Sequence, residues 1–336
     1  MSIKVIHPGF LTTIQDLGRY GFQKYGVSVS GAMDPISLRI ANLLVGNEEG
    51  EGALEITLMG PSLTVEREMM IAITGADLLP TIDEKKVPMW RPVLIKKGST
   101  LKFNACKIGC RAYLAVAGGF QVSKVMNSKS TFERGAFGGY HGRKLQNGDI
   151  LEVNEISEQV KTMMERVERE SASSLFFPMP WYVQPELFFS FKKHAPVRVM
   201  RGEHFDQLTL SSQSNFFKHD FSISSRSDRM GYRLSGSKIS LKEPIELLSE
   251  AVSLGTIQLP PDGNPIMLLA DRQTTGGYPR IAHVATVDIP VVAQRMPGDK
   301  IHFKEITYEQ AQKLYIEREQ QLEELKIGIH FKMQEG

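Results

Sequence analysis

The segment at residues 271–280 holds the most unusual set of chemically capable side chains in the sequence. It reads Asp-Arg-Gln-Thr-Thr-Gly-Gly-Tyr-Pro-Arg and lies between two apolar segments that are typical of strands. Its first seven residues are hydrogen-bonding side chains or glycines, which is more than a hairpin turn requires. Because loops at the rim of an open barrel commonly bind ligands, the pattern predicts a site there, with Gly276 and Gly277 at the turn. The alternative is an ordinary polar loop.

A second segment, residues 224–233, is rich in arginine and reads Ser-Ser-Arg-Ser-Asp-Arg-Met-Gly-Tyr-Arg. A guanidinium group can hold a carboxylate or a phosphate through two parallel hydrogen bonds, so this segment is suited to an anionic ligand. The alternative is an ion pair on a strand surface, between Asp228 and either Arg226 or Arg229.

A third segment, residues 8–34, concentrates Thr, Gln, Asp, Arg and Ser and contains few lysines. Gln15, Asp16 and Arg19 are its candidate binding residues. The alternative is a loop whose polar side chains satisfy its own backbone through Asx and Ser turns. His283 is the histidine that follows the 271–280 segment, and a lone histidine in a strand is more often structural than catalytic.

Several chemistries lack their sequence motifs. The chain has no Gly-x4-Gly-Lys-[Ser/Thr] phosphate loop, no Gly-x-Gly-x-x-Gly after a strand and no Gly-x-Ser-x-Gly elbow. The eight histidines do not form His-x3-His pairs, and no Cys-x2-Cys pair is present, so we expect no metal site. ATP or metal chemistry would need ligands from another chain.

The elements that must position these residues are mostly short strands. The 29 glycines and 17 prolines are spread along the chain, and β-rich segments recur between them at 101–103, 111–116, 197–200 and 281–287. This spacing favours barrels or sandwiches over alternating βαβ units. Residues 147–153 and 297–303 both read as a Gly-Asp turn followed by alternating apolar residues, which suits two barrels that close on a similar last strand.

Three helices are predicted. Asp34 is a candidate N-cap, with Pro35 at the first helical position and Gly46 as the stop. Thr307 and Gln310 have capping-box spacing before a helix that Gly328 should end. The charged segment 158–170 carries apolar residues at helical spacing and precedes a serine-rich stretch. It is interpreted as a partly mobile linker, or alternatively as an amphipathic helix that binds a partner.

These patterns divide the chain into a first β-barrel domain at 1–155, a helical linker at 156–180, a second β-barrel domain at 181–306 and a C-terminal helix and tail at 307–336. Its 336 residues carry 40 Lys and Arg against 38 Asp and Glu, which argues against a nucleic-acid binder that relies on a strong overall positive charge and leaves open only a local basic patch. Apolar runs are too short for a signal peptide or a membrane span, which predicts a cytoplasmic, soluble protein with Cys106 and Cys110 reduced.

The same segments resemble the biotin-dependent carboxyltransferase, or allophanate-hydrolase subunit 2, family. The resemblance extends in order over residues 4–304 and rests on seven motifs, which stand at 12–19, 30–34, 41–47, 54–57, 73–76, 228–234 and 271–278. It implies a mainly β fold of two cyclophilin-like β-barrel domains with a few helices.

For a free-standing chain of this size, the resemblance implies a subunit of a 5-oxoprolinase, a hydrolase that opens 5-oxo-L-proline to L-glutamate with ATP. The chain would act only in a hetero-oligomer with subunits A and B of that enzyme, sharing ATP and Mg²⁺ with them. Two alternatives remain: a carboxyltransferase subunit acting on carboxybiotin, and a regulator that binds and antagonises a histidine-kinase inhibitor, which is its B-subunit partner. The chain has no Ala-Met-Lys-Met biotin attachment site, so we expect no biotin on it.

Opening a lactam with ATP requires donors that hold the substrate carboxylate and stabilise the developing oxyanion. Arginines of the three segments would contact carboxylate or phosphate, and aspartates would orient them or act as a base or a magnesium ligand. The expected catalytic residues are Asp228, Arg229, Asp271, Arg272 and Gln273. The expected substrate-binding residues are Gln15, Asp16, Arg19, Thr275 and Tyr278.

Overall fold

The computed structural model describes residues 2–170, 174–188 and 195–335, and its regular structure is mainly β with a few helices, as predicted. The chain forms two compact units. The first comprises Met1–Arg19, Asp34–Phe188 and Gln321–Gly336, and the second comprises Tyr20–Met33 and Phe189–Gln320. The sequence did not indicate that Tyr20–Met33 groups with the second unit. Residues 171–173 of the predicted linker lie outside the described residues.

The first unit contains two antiparallel sheets. In chain order its strands are β1 (Ser2–His7), β2 (Leu11–Gln15), β3 (Ala53–Thr57), β4 (Ser62–Val65), β5 (Met69–Asp77), β6 (Thr81–Ile82), β7 (Lys85–Lys86), β8 (Pro92–Ile95), β9 (Thr100–Lys102), β10 (Ile108–Val116), β11 (Ile150–Glu152) and β12 (Phe176–Pro178). The sheets have the orders β11-β1-β4-β9-β6-β7 and β12-β8-β5-β10-β3-β2.

Strand β3 shows how this unit combines an apolar core with a buried polar face. Leu54 and Ile56 belong to the hydrophobic core. Because successive side chains of a strand point to opposite faces, Glu55 and Thr57 lie on the other side of the sheet, where they are also buried. A buried carboxylate requires a hydrogen-bond partner, and Glu55 has one on the neighbouring strand β10, where Tyr113 donates to it at 2.7 Å.

Helix α1 (Pro35–Leu44) forms as predicted. The Asp34 side chain accepts a hydrogen bond from the Ser37 backbone N–H at 3.0 Å, and Pro35 occupies the first turn. Val45 caps the carboxyl end, and Gly46 follows in the left-handed region. The helix therefore begins and ends through local capping chemistry.

Helix α2 (Glu158–Glu170) is confirmed as a helix and belongs to the first unit. Val160, Met163, Met164 and Val167 are all buried, so its apolar stripe is already covered. This burial does not favour the alternative of a free amphipathic helix waiting for a partner.

The second unit is built on one eight-stranded sheet with the order β21-β14-β15-β18-β17-β20-β13-β22. Its strands are β13 (Val197–Arg201), β14 (Phe221–Ile223), β15 (Gly231–Ser235), β16 (Glu250–Ala251), β17 (Thr256–Gln258), β18 (Ile266–Leu268), β19 (Thr275–Gly276), β20 (Arg280–Val284), β21 (Lys300–Ile301) and β22 (Phe303–Glu305), with β16 and β19 forming a separate two-stranded sheet. The two terminal strands, β21 and β22, are separated in sequence by His302 alone. The sheet therefore returns to its own starting edge, as in a barrel.

Two helices accompany this barrel. Helix α3 (Leu210–Lys218) is capped by the Thr209 side chain and places Phe216 in a stacked contact with Phe303, at 4.7 Å between ring centroids. Helix α4 (Ile289–Ala293) is short and wholly buried. The predicted strand at 281–287 ends at Val284, because a 3-10 turn (Thr286–Asp288) leads into α4.

Helix α5 (Tyr308–Glu335) begins at the predicted capping box, where Thr307 and Gln310 exchange backbone-to-side-chain hydrogen bonds. The prediction that Gly328 ends the helix is wrong, because the helix continues for seven residues beyond it. Ile329 and Met333 are buried in this last part. Burial of an apolar stripe offsets the modest helix penalty of one glycine. Within the described residues, each helix is too short or too polar to cross a membrane.

Candidate functional site

Strand pairing in the second unit brings two of the predicted segments together. Gly231 on β15 lies opposite Leu268 on β18, so the turn before β15 meets the turn after β18. Backbone hydrogen bonds extend this contact, from Leu269 N–H to the Met230 carbonyl and from Asp271 N–H to the Arg229 carbonyl. The register of one antiparallel pair thus places residues 42 positions apart side by side.

Arg229 and Asp271 form a two-pronged, buried ion pair. Arg229 Nε and Nη2 donate to the two Asp271 carboxylate oxygens at 2.8 and 3.2 Å. Nη2 also donates to the Gly31 carbonyl at 2.6 Å. Asp271 therefore orients Arg229, as expected of an aspartate in this site, and the pair ties the 271 turn to the segment around Gly31.

Arg272 has a different environment. Its side chain is buried, Nη1 donates to the Leu269 carbonyl at 3.3 Å, and Nε has no hydrogen-bond partner among the described residues. Burial lowers the pKa of Arg272, although Tyr20 and Asp271 act in the opposite direction. A buried donor without an acceptor is costly, so this guanidinium is suited to an anionic ligand.

Gln258 on β17 supplies a second buried donor near this turn. Its Nε2 has no partner among the described residues, while its Oε1 accepts a hydrogen bond from Gln273 Nε2 at 3.5 Å. Gly276 packs directly against this amide, since a Cβ atom at 276 would lie 2.5 Å from Gln258 Nε2. A side chain at 276 would therefore displace the Gln258 amide. Gly276 does not lie at the hairpin turn that the sequence predicted, because it pairs with Glu250 in the β16–β19 ribbon.

His283 on β20 is largely removed from solvent beside these residues. Burial and the charge of Arg272 lower its pKa, and its Nδ1 lies 3.5 Å from the Thr256 hydroxyl on the neighbouring strand. The imidazole is therefore neutral at pH 7 and adds no second cation next to Arg272.

The segment Tyr20–Met33 adds hydroxyl groups in the same unit. Ser28 Oγ donates to the Arg272 carbonyl at 2.9 Å. Ser30 adopts a left-handed backbone, and its buried Oγ has no partner among the described residues. Sequence reasoning missed Gln258, Ser28 and Ser30 as site residues. The only signal for Gln258 was its position between the apolar residues Ile257 and Leu259.

Three predicted site residues of the second unit lie elsewhere. Asp228 Oδ1 accepts from the Met230 and Gly231 backbone N–H groups, which makes an Asx turn. Thr275 is exposed and belongs to the β16–β19 ribbon. Tyr278 lines a separate cavity of about 780 Å³, together with Leu247 and Pro260.

The first unit holds Gln15, Asp16 and Arg19. The Asp16 carboxylate accepts hydrogen bonds from Gly18 N, Ser128 Oγ, Lys129 N and Ser130 Oγ, at 2.5 to 2.8 Å. It therefore organises a loop, which is the self-satisfying alternative considered for this segment. Gln15 Nε2 donates to Thr13 Oγ1 and to the Thr131 carbonyl, and its buried Oε1 has no partner among the described residues.

A buried network on the polar face of β3 was not identified from the sequence as a site. Tyr113 donates its hydroxyl hydrogen to Glu55 at 2.7 Å and accepts from the Asp34 backbone N–H at 2.8 Å. Burial, together with the charges of Glu55 and Asp34, raises the pKa of Tyr113 well above its ordinary value. Tyr113 therefore stays protonated and fixes the start of α1.

Within the described residues, no group of three His, Cys, Asp or Glu side chains is placed to hold a metal ion. What the second unit offers instead is three buried side-chain atoms without a partner among the described residues: Arg272 Nε, Gln258 Nε2 and Ser30 Oγ. A buried donor of this kind can bind a carboxylate or stabilise negative charge that develops on a carbonyl oxygen.

Sequence comparison identifies the family to which this chain belongs. The profile of the carboxyltransferase domain family, subdomains A and B, matches residues 25–305. The chain belongs to this family, as the sequence motifs predicted.

Individual members of the family show how similar this chain is to proteins with a known name. The chain is 37% identical to the C subunit of 5-oxoprolinase of Escherichia coli over 329 residues, covering 98% of this chain and 99% of that protein. It is 36% identical to the C subunit of 5-oxoprolinase of Haemophilus influenzae, covering 94% of both chains. It is also 35% identical to urea amidolyase of Saccharomyces cerevisiae, where it covers 93% of this chain and 17% of the other.

Among solved structures, the urea amidolyase of Kluyveromyces lactis matches 96% of this chain with a TM-score of 0.85 at 32% identity. The chain spans only 20% of that protein. The fold is therefore shared with a segment of a much longer enzyme.

Proposed function

We propose that this chain serves as one subunit of an ATP-dependent 5-oxoprolinase complex, a hydrolase that opens 5-oxo-L-proline to L-glutamate with subunits A and B. One observation carries the proposal. Both relatives that are named as the C subunit of 5-oxoprolinase are matched along nearly their whole length, whereas the urea amidolyases are matched over about a fifth of theirs or less. A cytoplasmic location agrees with the dependence on ATP.

The donors of the second unit suit the chemistry of a lactam acid. 5-Oxoproline carries a carboxylate and an amide carbonyl, and opening of the ring places negative charge on the carbonyl oxygen. In this proposal Arg272 binds an oxyanion through Nε, and Gln258 Nε2 supplies a directional hydrogen bond. Both donors are buried, where such interactions are stronger than in water.

The remaining residues of this cluster position the two donors. The Arg229–Asp271 pair fixes the turn that carries Arg272. Gln273 engages Gln258 Oε1, which leaves the Gln258 amide nitrogen available to a ligand. In this proposal Asp228 keeps the catalytic role, and Thr275 and Tyr278 the substrate-binding roles, that the resemblance implies.

ATP and Mg²⁺ belong, in this proposal, to sites shared with the partner subunits. Two of the aspartates predicted as magnesium ligands do not fit that role, because Asp16 already accepts hydrogen bonds from four donors and Asp271 is paired with Arg229. The third, Asp228, is exposed and holds an Asx turn through Oδ1. Mg²⁺ prefers carboxylate oxygens that are open to it and to water. The proposal places no biotin on this chain, because the sequence has no Ala-Met-Lys-Met attachment site.

A carboxyltransferase acting on carboxybiotin is the second candidate. It is favoured by the family and by the likeness to a urea amidolyase segment with a TM-score of 0.85. A donor-rich site also serves a carboxyl group in transfer. Regulation of a histidine kinase would need no further site on this chain, because tight binding of the B subunit would keep that inhibitor away from the kinase.

Purified complex with subunits A and B separates these candidates. We expect L-glutamate to form from 5-oxo-L-proline with ATP in the presence of excess avidin, which sequesters biotin. The isolated chain should neither hydrolyse ATP nor open the lactam. Turnover that required carboxybiotin, or urea as the acceptor, would favour the carboxyltransferase instead.

A further inference from the structure

We propose that the glycine-rich loop at residues 137–142 of the first unit binds a phosphate group. The loop reads Phe-Gly-Gly-Tyr-His-Gly and lies outside the three segments from which site residues were predicted. The inference stands apart from the proposed reaction, because it concerns binding of an ion by the isolated chain.

Four consecutive backbone N–H groups of this loop are available to a ligand. The amides of Gly138, Gly139, Tyr140 and His141 donate to no acceptor among the described residues. The flanking amides do have acceptors, since Phe137 N–H donates to Phe132 O and Gly142 N–H donates to Gly138 O. Gly138 is itself buried, and a buried N–H without an acceptor is rare unless a ligand or water occupies it.

The loop backbone is left-handed at four of its six positions. Gly138, Gly139, His141 and Gly142 all have φ between +54° and +73°. A Cβ atom on Gly139 would lie 3.0 Å from Thr131 Cβ, so this glycine is also required for space. Successive unbonded amides in a turn can form a concave set of donors that favours anions, and in this proposal the loop uses its amides in that way.

A buried cation lies directly against this set of amides. The Arg19 side chain is fully buried, and its Nη2 would be 2.7 Å from a Cβ atom on Gly138. Arg19 Cζ sits 4.8 Å above the Phe137 ring, while its described hydrogen bonds go to the Ser130 and Val125 carbonyls. The positive charge beneath the loop adds to the partial charges of the amides.

Charged side chains of both signs surround the loop. Arg19, Arg143 and Lys144 are cationic, and Asp16, Glu133 and Asp149 are anionic. Because these charges nearly balance, the preference for an anion rests on the unbonded amides beside the buried Arg19 guanidinium. Several N–H donors beside a guanidinium suit the multiple oxygens of a phosphate group better than the two of a carboxylate.

Titration of the isotope-labelled full chain with inorganic phosphate, followed by backbone amide chemical shifts, tests the proposal. We expect saturable shifts confined to Gly138, Gly139, Tyr140 and His141, with the bonded amide of Gly142 shifting less. Sodium chloride at matched ionic strength should not reproduce them. Saturable shifts with acetate or bicarbonate of equal affinity would overturn the assignment to phosphate.

A matched pair of variants tests the amide contribution. Tyr140→Pro removes one N–H donor at a position whose φ is not positive, whereas Tyr140→Ala removes the same ring and keeps the N–H. Tyr140→Pro should weaken phosphate binding by roughly tenfold or more relative to Tyr140→Ala, as expected when one charge-assisted hydrogen bond is lost.

Lys102→Ala, at an exposed lysine of strand β9 outside the loop, serves as the control for general attraction of anions to surface cations, and should change affinity by less than about threefold at physiological salt. Equal affinity of the Pro and Ala variants, with both folded, would overturn the proposal. If Tyr140→Pro does not fold, the amide chemical shifts of the wild-type chain decide the question. Shifts scattered over the surface, or no shifts, would overturn the proposed phosphate site.

Discussion

At the scale of single residues, Arg229 and Arg272 are both candidates for contact with a carboxylate or phosphate, but their surroundings differ. Both were predicted to contact an anion directly. Arg229 uses its fork on Asp271 and Gly31, whereas Arg272 retains an unpartnered Nε among the described residues. Residue type and spacing predicted an anion contact for both arginines. The strand register shows that Arg229 pairs instead with Asp271, the residue directly before Arg272. The two roles have different experimental consequences.

Replacement of Arg272 by lysine should impair turnover with little effect on folding. Lysine keeps the charge but loses the planar guanidinium, so we expect kcat/KM of the reconstituted complex to fall about ten- to a hundredfold. The melting temperature of the chain should change little. Arg226→Lys, on an exposed side chain of the neighbouring segment, is the control and should retain activity. Equal activity of both variants would remove Arg272 from the site.

Removal of one member of the buried Arg229–Asp271 pair should act on stability. Arg229→Met leaves the Asp271 carboxylate buried and without this partner, which costs about 3–5 kcal/mol of unfolding free energy in comparable cases. Asp271→Asn should cost a similar amount, and the double variant less than the sum. Denaturant unfolding measures all three. Additive effects would show that the two side chains do not depend on each other.

The depressed pKa of His283 predicts a pH dependence of stability. The unfolded chain takes up a proton near the ordinary histidine pKa of about 6.5, whereas folded His283 resists protonation until a lower pH. Stability should therefore fall as the pH drops below about 6.5. His283→Gln should flatten this part of the melting-temperature profile. An unchanged slope between the two proteins would contradict the neutral, buried assignment.

At the scale of elements, local chemistry predicted helix starts better than helix ends. Asp34 and Thr307 begin α1 and α5 as expected, because a cap depends on a few adjacent residues. Gly328 does not end α5, since Ile329 and Met333 are buried beyond it. The contacts that extend a helix past a glycine are tertiary, and no local pattern records them. The same is true of the Gly276 contact with Gln258.

Glycine substitutions can measure this difference directly. Gly328 lies inside α5 with an ordinary φ and open space around its missing side chain, so Gly328→Ala should stabilise the chain by about 0.5–1 kcal/mol. Gly298 has equally open space but a φ of +90°, so Gly298→Ala should destabilise it. Thermal unfolding of the two variants checks the pair. A loss of stability in Gly328→Ala would show that α5 is not continuous there.

At the scale of the whole chain, the mainly β architecture and the family could be read from glycine-punctuated strands and seven motifs. What could not be read is the assignment of Tyr20–Met33 to the second unit, or the donor set of Gln258 and Ser30. Both depend on pairing between residues that are far apart in sequence. The motifs therefore identified the segments that define the family, and the structure shows that residues within one segment make different contacts.

Assembly with the B subunit is expected because this chain offers donors for an oxyanion but no motif for ATP. Size-exclusion chromatography with light scattering should detect a stable hetero-oligomer when the two purified proteins are mixed. A chain mixed with an unrelated protein of similar size is the control. Separate elution of this chain and the B subunit would contradict the shared site.

The most direct measurement is L-glutamate release from 5-oxo-L-proline by the complex of this chain with subunits A and B, with ATP and without biotin. We expect L-glutamate release to require all three proteins and ATP, and to fall about ten- to a hundredfold when the complex carries Arg272→Lys. Release by subunits A and B without this chain, or full activity of the Arg272→Lys complex, would contradict this expectation.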